Sequence, residues 1–353
     1  MAVNEAVWSA QGTTPDAIEG ALRELLVERH VESDSYVPAR VLNMIAFVDL
    51  EWMGEIANRL RGVGRYSASR LVVLAYERRR ERLDARVMIS SEREPTPGEL
   101  ALLRETVVVE LGDRHLGDLT TIADPLVVTD MPTLLWSPHG NHEIAAPLLG
   151  LSQSVLVDSV DEPDATEAVQ RAGMLSEQVY VVDLAWLRTT PWRERVAAWF
   201  DPPGKRLELA HLSSVTVRHH PESTVAAMLF VGWLSSRLGW KPSAWVGDNG
   251  ALRGSAHTSR QDVALCLEGT PDLMVRGLED VTLDTAEGQS VTLARNRGGL
   301  RARARSADGS EREWTIPGAS RGEGGVLGEG IRQSLLRDPT YLPALDAARA
   351  MLP

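Results

Sequence analysis

"ARVLNMIAFVDLEWMGEIANRLRGVGRYSASRLVVLAYE", running from Ala39 to Glu77, decides the fold. Ala39 to Leu50 is a near-continuous apolar run, which predicts a strand covered on both faces. "EWMGEIANRLRGV" then sets Trp52, Ile56 and Leu60 at helical spacing. "SRLVVLAYE", Ser69 to Glu77, is a second buried strand. Strand, helix and strand within about forty residues form the signature of a parallel βαβ unit.

Working outward, Thr14 followed by Pro15 suits an N-cap and first helical residue, with Ile18, Leu22, Leu25 and Leu26 on one helical face. "DARVMIS" and "LLRETVVVEL" alternate and suit an antiparallel pair. "GDLTTIADPLV", "NHEIAAPLLGLS" and "DEPDATEAVQRAGML" read as helices, "MPTLLWS" and "QSVLVDSV" as strands. The expectation is an α/β N-terminal half with a mostly parallel sheet. After Met174 the pattern changes. "TPWRERVAAWF" and "PESTVAAMLFVGWLSSRLGW" read as helices, and residues 243–316 become short alternating runs with Gly/Asp turns. Two helices close the chain. The second half is therefore expected to be α+β, with helices and an antiparallel sheet over 243–316. The expected domains are 1–174 and 175–353.

Composition bounds the function. In 353 residues, 43% are apolar and 24% charged, as in ordinary globular proteins. The net charge of -12 argues against a nucleic-acid partner, which needs a Lys/Arg excess. Cys266 is the one cysteine, so no disulfide or dithiol switch forms within these residues. No basic n-region with an apolar h-region opens the sequence, and no apolar run spans a bilayer. A cytoplasmic protein without membrane attachment is expected. Ten Trp against three Phe and five Tyr is an unusual aromatic usage, for which core packing is the common reason.

Tests for chemistry return little. "RGVGRYSASR" has Gly62 and Gly64 but Ser67 at the third glycine of a dinucleotide fingerprint, and it follows a helix instead of a strand. "GEGGVLGEG", Gly322 to Gly330, lacks the Gly-Lys-Ser/Thr of a phosphate loop and reads as a flexible loop. "HGNHE" offers His139, His142 and Glu143, yet Pro138 and Gly140 make it a loop that caps a helix. Cys266 lies in an apolar alternating strand with nothing basic beside it in sequence. "YERRRERLDAR" mixes arginine with acid and reads as a solvated, ion-paired stretch. "RARARS" sets Arg301, Arg303 and Arg305 on one face of a strand, available to an acidic partner or a sugar phosphate. No catalytic, cofactor or metal set emerges.

Several pieces in order carry a family likeness: Ser69 and Arg70 opening "SRLVVLAY"; Met131, Pro132 and Trp136 in "MPTLLWS"; Asp183, Trp186, Thr190, Pro191, Trp192 and Arg193 in "DLAWLRTTPWR"; and "SLLRDPTYLPALDAA" near the end. From about Val41 onward the chain resembles the bacterial glucose-6-phosphate dehydrogenase assembly protein OpcA family. The resemblance implies a non-enzymatic role: association with glucose-6-phosphate dehydrogenase, promotion of its assembly or activity, and support of the oxidative pentose phosphate pathway and its NADPH supply. It implies no cofactor. The alternative from the residues themselves is a divergent enzyme of carbohydrate metabolism that binds a sugar phosphate or nucleotide in the α/β half.

Within "DLAWLRTTPWRERVAAWF", Thr190 suits an N-cap and Pro191 the first helical position. Trp192, Val196 and Trp199 share one helical face, the expected core stripe, with Trp186 packing beside it. Arg188 in the approach and Arg193 on the other side are left as candidates for a partner or an anion.

Overall fold

The computed structural model describes residues 4–38, 40–63, 70–91, 99–318 and 322–353. The chain begins with β1 (Asn4–Ala10), α1 (Pro15–Glu32), β2 (Tyr36–Pro38), β3 (Asn43–Asp49), α2 (Met53–Val63) and β4 (Arg70–Tyr76). β5 (Asp84–Ser91), β6 (Ala101–Leu111), α3 (Leu119–Ala123), β7 (Thr133–Trp136), α4 (His142–Ala145) and β8 (Ser154–Val157) follow. Then come α5 (Ala165–Ser176), β9 (Tyr180–Asp183), α6 (Leu184–Arg188), α7 (Thr190–Phe200), α8 (Pro203–Arg206), β10 (Leu212–His219) and α9 (Thr224–Leu238). The β-rich stretch is β11 (Lys241–Pro242), β12 (Val246–Asp248), β13 (Ala251–His257), β14 (Asp262–Gly269), β15 (Leu278–Thr285), β16 (Ser290–Asn296), β17 (Gly299–Arg305) and β18 (Glu311–Pro317). α10 (Gly322–Leu336) and α11 (Tyr341–Arg349) complete it.

Met1–Val157, Val179–Val182 and Glu323–Leu336 form one compact unit. Its sheet has the order β1-β5-β6-β4-β3-β7-β8-β9, with β2 paired to β6. β3 pairs in parallel with both β4 and β7, and β4 in parallel with β6. The α/β class with a mostly parallel sheet is what the structure has, and α2 is the crossover between β3 and β4. Met44 to Val48 are all buried because the strand is covered on both sides, which is why its sequence is apolar without alternation. The order reverses at β3: the chain winds from β3 to β4 on one side and from β7 to β8 on the other. Asn43 fastens this reversal. Its Nδ2 donates to the Val128 carbonyl at 3.0 Å, and its Oδ1 accepts from Val128 N at 3.0 Å.

Two expectations change in this unit. A strand, β1, precedes the Thr14-capped helix, pairing antiparallel with β5 so that Trp8 faces Val87. Of the two readings of the glycine-rich stretch, flexible loop over Gly322 to Gly330 and start of a closing helix, the helix holds from Gly322: α10 buries Leu327, Ile331 and Ser334 along one stripe, and that packing overrides the poor helix propensity of its glycines.

Asp158–Gln178, Asp183–Gly322 and Arg337–Pro353 form the other unit. Its sheet runs β11-β13-β14-β10-β15-β16-β17-β18, with β12 on β13. Neighbours are antiparallel except β10 and β14, which pair in parallel from Ser214–Ala264 to His219–Gly269. α9 is buried nearly all round and ends at Gly239, whose φ of 66° is the left-handed cap that favours glycine. Gly232 lets α11 approach: a Cβ there would sit 2.2 Å from the Ala344 carbonyl oxygen. With helices beside a mostly antiparallel sheet, this unit has the expected α+β character, but the sheet reaches back beyond the expected 243–316 to take in β10 at its centre.

Candidate functional site

Asp183 is the centre of a densely bonded polar cluster in the second unit. It caps α6, accepting from Ala185 N at 2.8 Å, and it also accepts from Ser159 Oγ at 2.6 Å. The residue is 1% exposed. Burial pushes its pKa up to about 6, against the hydrogen bonds from Ser159.

The remaining signature residues build outward from there. Trp186 donates from Nε1 to Asp338 at 2.9 Å and packs on Tyr341 with ring centroids 5.7 Å apart. Thr189, not Thr190, is the N-cap residue of α7, and its hydroxyl bonds the Trp186 carbonyl at 2.7 Å. The expected cap is therefore one residue late, because α6 runs almost directly into α7 with Thr189 itself in helical geometry. Arg193 Nε donates to Thr189 Oγ1 at 3.0 Å and Nη2 to Thr190 Oγ1 at 2.9 Å. Its guanidinium covers the Trp186 ring, and Asp338 lies 3.8 Å away. Burial lowers the Arg193 pKa to about 10. For Asp338 burial acts upward, but donors from Thr340 and Trp186 and the charge of Arg193 hold it below the usual value.

Both arginines singled out in the α6–α7 stretch are internal. Arg188 meets Asp158 through two bonds of 2.7 Å, the fork geometry guanidinium makes with carboxylate. Arg193 is 8% exposed, not on the open side of the helix. The tryptophan stripe is also redrawn. Trp192 and Val196 are buried, but Trp199 is only half-buried and Phe200 takes the remaining core position.

In the first unit, Arg70 donates to Glu105 at 2.5 Å and to the Leu126 carbonyl at 3.3 Å. Ser69 lies outside the described residues. Pro132 presents its carbonyl to Asn43 N at 2.9 Å, and Trp136 is buried under the Arg59 guanidinium, 5.0 Å from its ring. Pro191 is the second residue of α7. These residues hold backbone and core together.

The second sheet has one open, polar face. Across it, register aligns Arg253, Cys266, Thr216, Thr282, Thr292, Arg303 and Glu313 in a single row. Arg301, Arg303 and Arg305 are exposed on this face. Arg303 pairs with Glu313 at 3.2 Å, Arg305 stands opposite Glu311, and Arg301 lies between Ala294 and Thr315 with no acid directly across. Cys266 does have a basic neighbour, Arg253, in the cross-strand position that sequence spacing hides. Burial, with Glu268 beside it, still raises the thiol pKa.

A cleft of about 350 Å³ opens where Trp199, Lys205 and Glu208 face Ser290, Arg305 and Arg312. Trp199 stacks on Trp314 at 5.3 Å. Sequence reasoning missed this cleft, since its walls come from strands and helices far apart in the chain. Among the described residues no group of three His, Cys, Asp or Glu is placed to hold a metal ion, and His139 lies instead beside Trp52 and Glu55. Among the described residues no helix is long and apolar enough to cross a membrane.

Two family models match the chain. One, described as the C-terminal domain of the glucose-6-phosphate dehydrogenase subunit, matches residues 179–345, and the corresponding N-terminal domain matches 62–173. The putative OxPP cycle protein OpcA of Synechococcus elongatus is 25% identical over 151 residues, covering 41% of this chain and 34% of that protein. The Nostoc punctiforme OpcA is 30% identical over 130 residues, covering 35% of this chain and 28% of its own. The chain thus spans about a third of the length of the curated relatives it matches. Among solved structures, an oxidoreductase from Sinorhizobium meliloti has 11% identity and a TM-score of 0.47, over 88% of this chain and 94% of that one. The apo scyllo-inositol dehydrogenase of Lactobacillus casei has 11% identity and a TM-score of 0.43, over 89% and 96%. Likenesses this weak carry no argument about chemistry. The two family matches, with the Asp183–Arg193 signature at the start of the C-terminal one, show that this chain belongs to the OpcA family, whose models are described as glucose-6-phosphate dehydrogenase subunit domains.

Proposed function

We propose that this protein is a non-enzymatic, cytoplasmic partner of glucose-6-phosphate dehydrogenase that binds the enzyme and favours its active oligomeric form, supporting the oxidative pentose phosphate pathway. The observation that carries the reading is the pair of family matches, both described as dehydrogenase subunit domains. The fate of the signature residues supports it. Those of the Asp183–Arg193 stretch are bonded inside the second unit, to Ser159, Asp338 and Thr189, as parts of a scaffold rather than of a reacting centre.

An activator acts by binding the active state better than the inactive one. A tenfold gain needs only about 1.4 kcal/mol of differential affinity, within reach of a modest polar surface. The Arg301, Arg303 and Arg305 face is the proposed contact. It is exposed, it is set by its strand neighbours, and Arg301 stands on it with no acid directly across, on a chain of net charge -12. Such a patch steers an acidic surface on a partner. Arg188 and Arg193 are left out of the proposed contact, because each is engaged inside the unit.

The test is to mix the protein with the dehydrogenase of the same organism and follow sedimentation and the initial rate with glucose 6-phosphate. A complex with a raised rate is expected. No complex and no change in rate would remove the reading, and turnover by this protein alone would replace it with an enzymatic one.

A further inference from the structure

The loop after β7, Ser137 to Asn141, holds three polar side-chain atoms that are shielded from solvent and meet no hydrogen-bond partner among the described residues: Ser137 Oγ, His139 Nδ1 and Asn141 Nδ2. Buried polar atoms are normally paired, and a group of three within five consecutive residues calls for a cause. The same loop is conformationally strained. His139 has φ 65°, a left-handed backbone on a residue with a side chain, and Gly140 follows at 84°.

Its position adds a second, independent indication. The loop leaves the C-terminal end of β7, beside the C-terminal end of β3, where the strand order of the first unit reverses. Open parallel sheets take ligands at this point, because the chain departs in opposite directions and leaves a crevice. From the β3 side, Trp52 brings its ring to 5.3 Å from that of His139, with the residue 44% exposed. Glu55 reaches His139 Nε2 at 3.6 Å, and Arg59 lies 3.8 Å from the same carboxylate oxygen while its guanidinium covers Trp136.

We infer that the Ser137–Asn141 loop and Trp52 form a binding site for a hydroxylated ring. The donor set decides the class. Asn141 Nδ2 only donates, Ser137 Oγ donates and accepts, and His139 Nδ1 donates or accepts according to the ring's tautomer. Neighbouring ring hydroxyls, each donor and acceptor at once, satisfy all three. The half-exposed Trp52 face suits the apolar side of such a ring. A bare anion fits badly: Glu55 places a negative charge beside His139, and Arg59 is already held by Glu55 and Trp136. Because the three atoms face inward, contact requires the loop to shift at His139 and Gly140, the two left-handed residues. The site does not rest on the dehydrogenase reading and is compatible with a small-molecule effector of a non-enzymatic protein.

The ring can be a free sugar or the ribose of a nucleoside, and the experiment separates them. Saturation-transfer NMR and thermal shift are run on the full chain with glucose, glucose 6-phosphate, adenosine and inorganic phosphate. Binding of a hexose or of adenosine is expected, with at least a tenfold loss in Trp52→Ala and Asn141→Ala. Ser137→Ala gives the second readout. If its hydroxyl serves only the ligand, this variant keeps or raises the melting temperature while losing affinity. A clear fall in melting temperature in Ser137→Ala would mean a structural partner, such as an internal water, and would overturn the proposal. So would millimolar silence from all the ring compounds, or inorganic phosphate binding alone.

Discussion

The Arg193 guanidinium lies 3.4 Å from the centroid of the Trp186 ring. This contact explains why "DLAW" and "TPWR" occur together: the tryptophan of one supplies the face on which the arginine of the other rests. The planar, weakly hydrated guanidinium can be buried this way where a lysine ammonium cannot. Removing it takes a positive charge from beside Asp338 inside the unit. Arg193→Ala is expected to cost about 3 kcal/mol, the low end for breaking a buried pair. Arg193→Lys should cost about half as much, since charge remains but the fork and stacking are lost. Urea unfolding of the three proteins measures both, and equal midpoints would show that the stack contributes nothing.

Asp183 gives the second unit a signed response to pH. Its folded pKa is raised to about 6, from an ordinary value of 3.8. A raised folded pKa means that its contribution to stability is full below the unfolded pKa and disappears as pH rises through the folded one. The window is therefore about pH 4 to about pH 6, and the full effect is about 3 kcal/mol. Asp183→Asn can still accept from Ala185 but does not titrate. The stability of the native protein minus that of Asp183→Asn should fall across this window, as read by chemical denaturation at several pH values. A difference that stays flat would place the ionisation elsewhere.

The tryptophans of α7 separate by burial. Trp192 is 3% exposed, and Trp192→Ala should cost about 3–5 kcal/mol. Trp199 is half-buried against Trp314, so Trp199→Ala should cost about 1 kcal/mol, the scale of an aromatic pair. Melting temperatures of the two variants rank them directly.

This difference also marks how far the sequence could be read. The β3–α2–β4 unit was legible because a strand buried on both faces and an amphipathic helix have distinct periods. The Trp192–Val196 spacing was legible for the same reason. Burial of arginine was not, because it depends on partners remote in the chain: Asp158 stands 30 residues before Arg188, and Asp338 stands 152 residues beyond Trp186. The Ser137–Asn141 loop could be recognised as a helix-capping loop, but its left-handed histidine and unpaired buried atoms are properties of three-dimensional packing. β1 lay hidden in a short polar-and-apolar alternation whose partner, β5, is some eighty residues on.

The proposed contact surface makes an electrostatic prediction. Arg301→Glu reverses the one ladder residue with no acid directly across from it. On an exposed strand face it should change stability by no more than about 0.5 kcal/mol. Association with the dehydrogenase should slow several-fold at low salt, with the gap narrowing as salt is raised. Stopped-flow or biosensor association rates at two ionic strengths provide the measurement. An unchanged on-rate would move the contact off this face.

Two glycines test whether helix contacts in the second unit are set by backbone or by side chain. At Gly232 an added Cβ would meet the Ala344 carbonyl oxygen at 2.2 Å and Ala348 N at 3.1 Å, both fixed parts of α11. At Gly173 the nearest atoms, from 2.5 Å outward, belong to the Arg349 side chain, which can swing away. Gly232→Ala must push α9 and α11 apart and should cost about 1–3 kcal/mol. Gly173→Ala gains up to about 1 kcal/mol of helix propensity in α5 and loses some Arg349 packing, so its net change should be near zero. Denaturant titration of the pair settles the order. If Gly232→Ala proved as stable as the native chain, α11 would have to slide freely over α9, and the Tyr341–Trp186 contact that α11 delivers would be loosened with it.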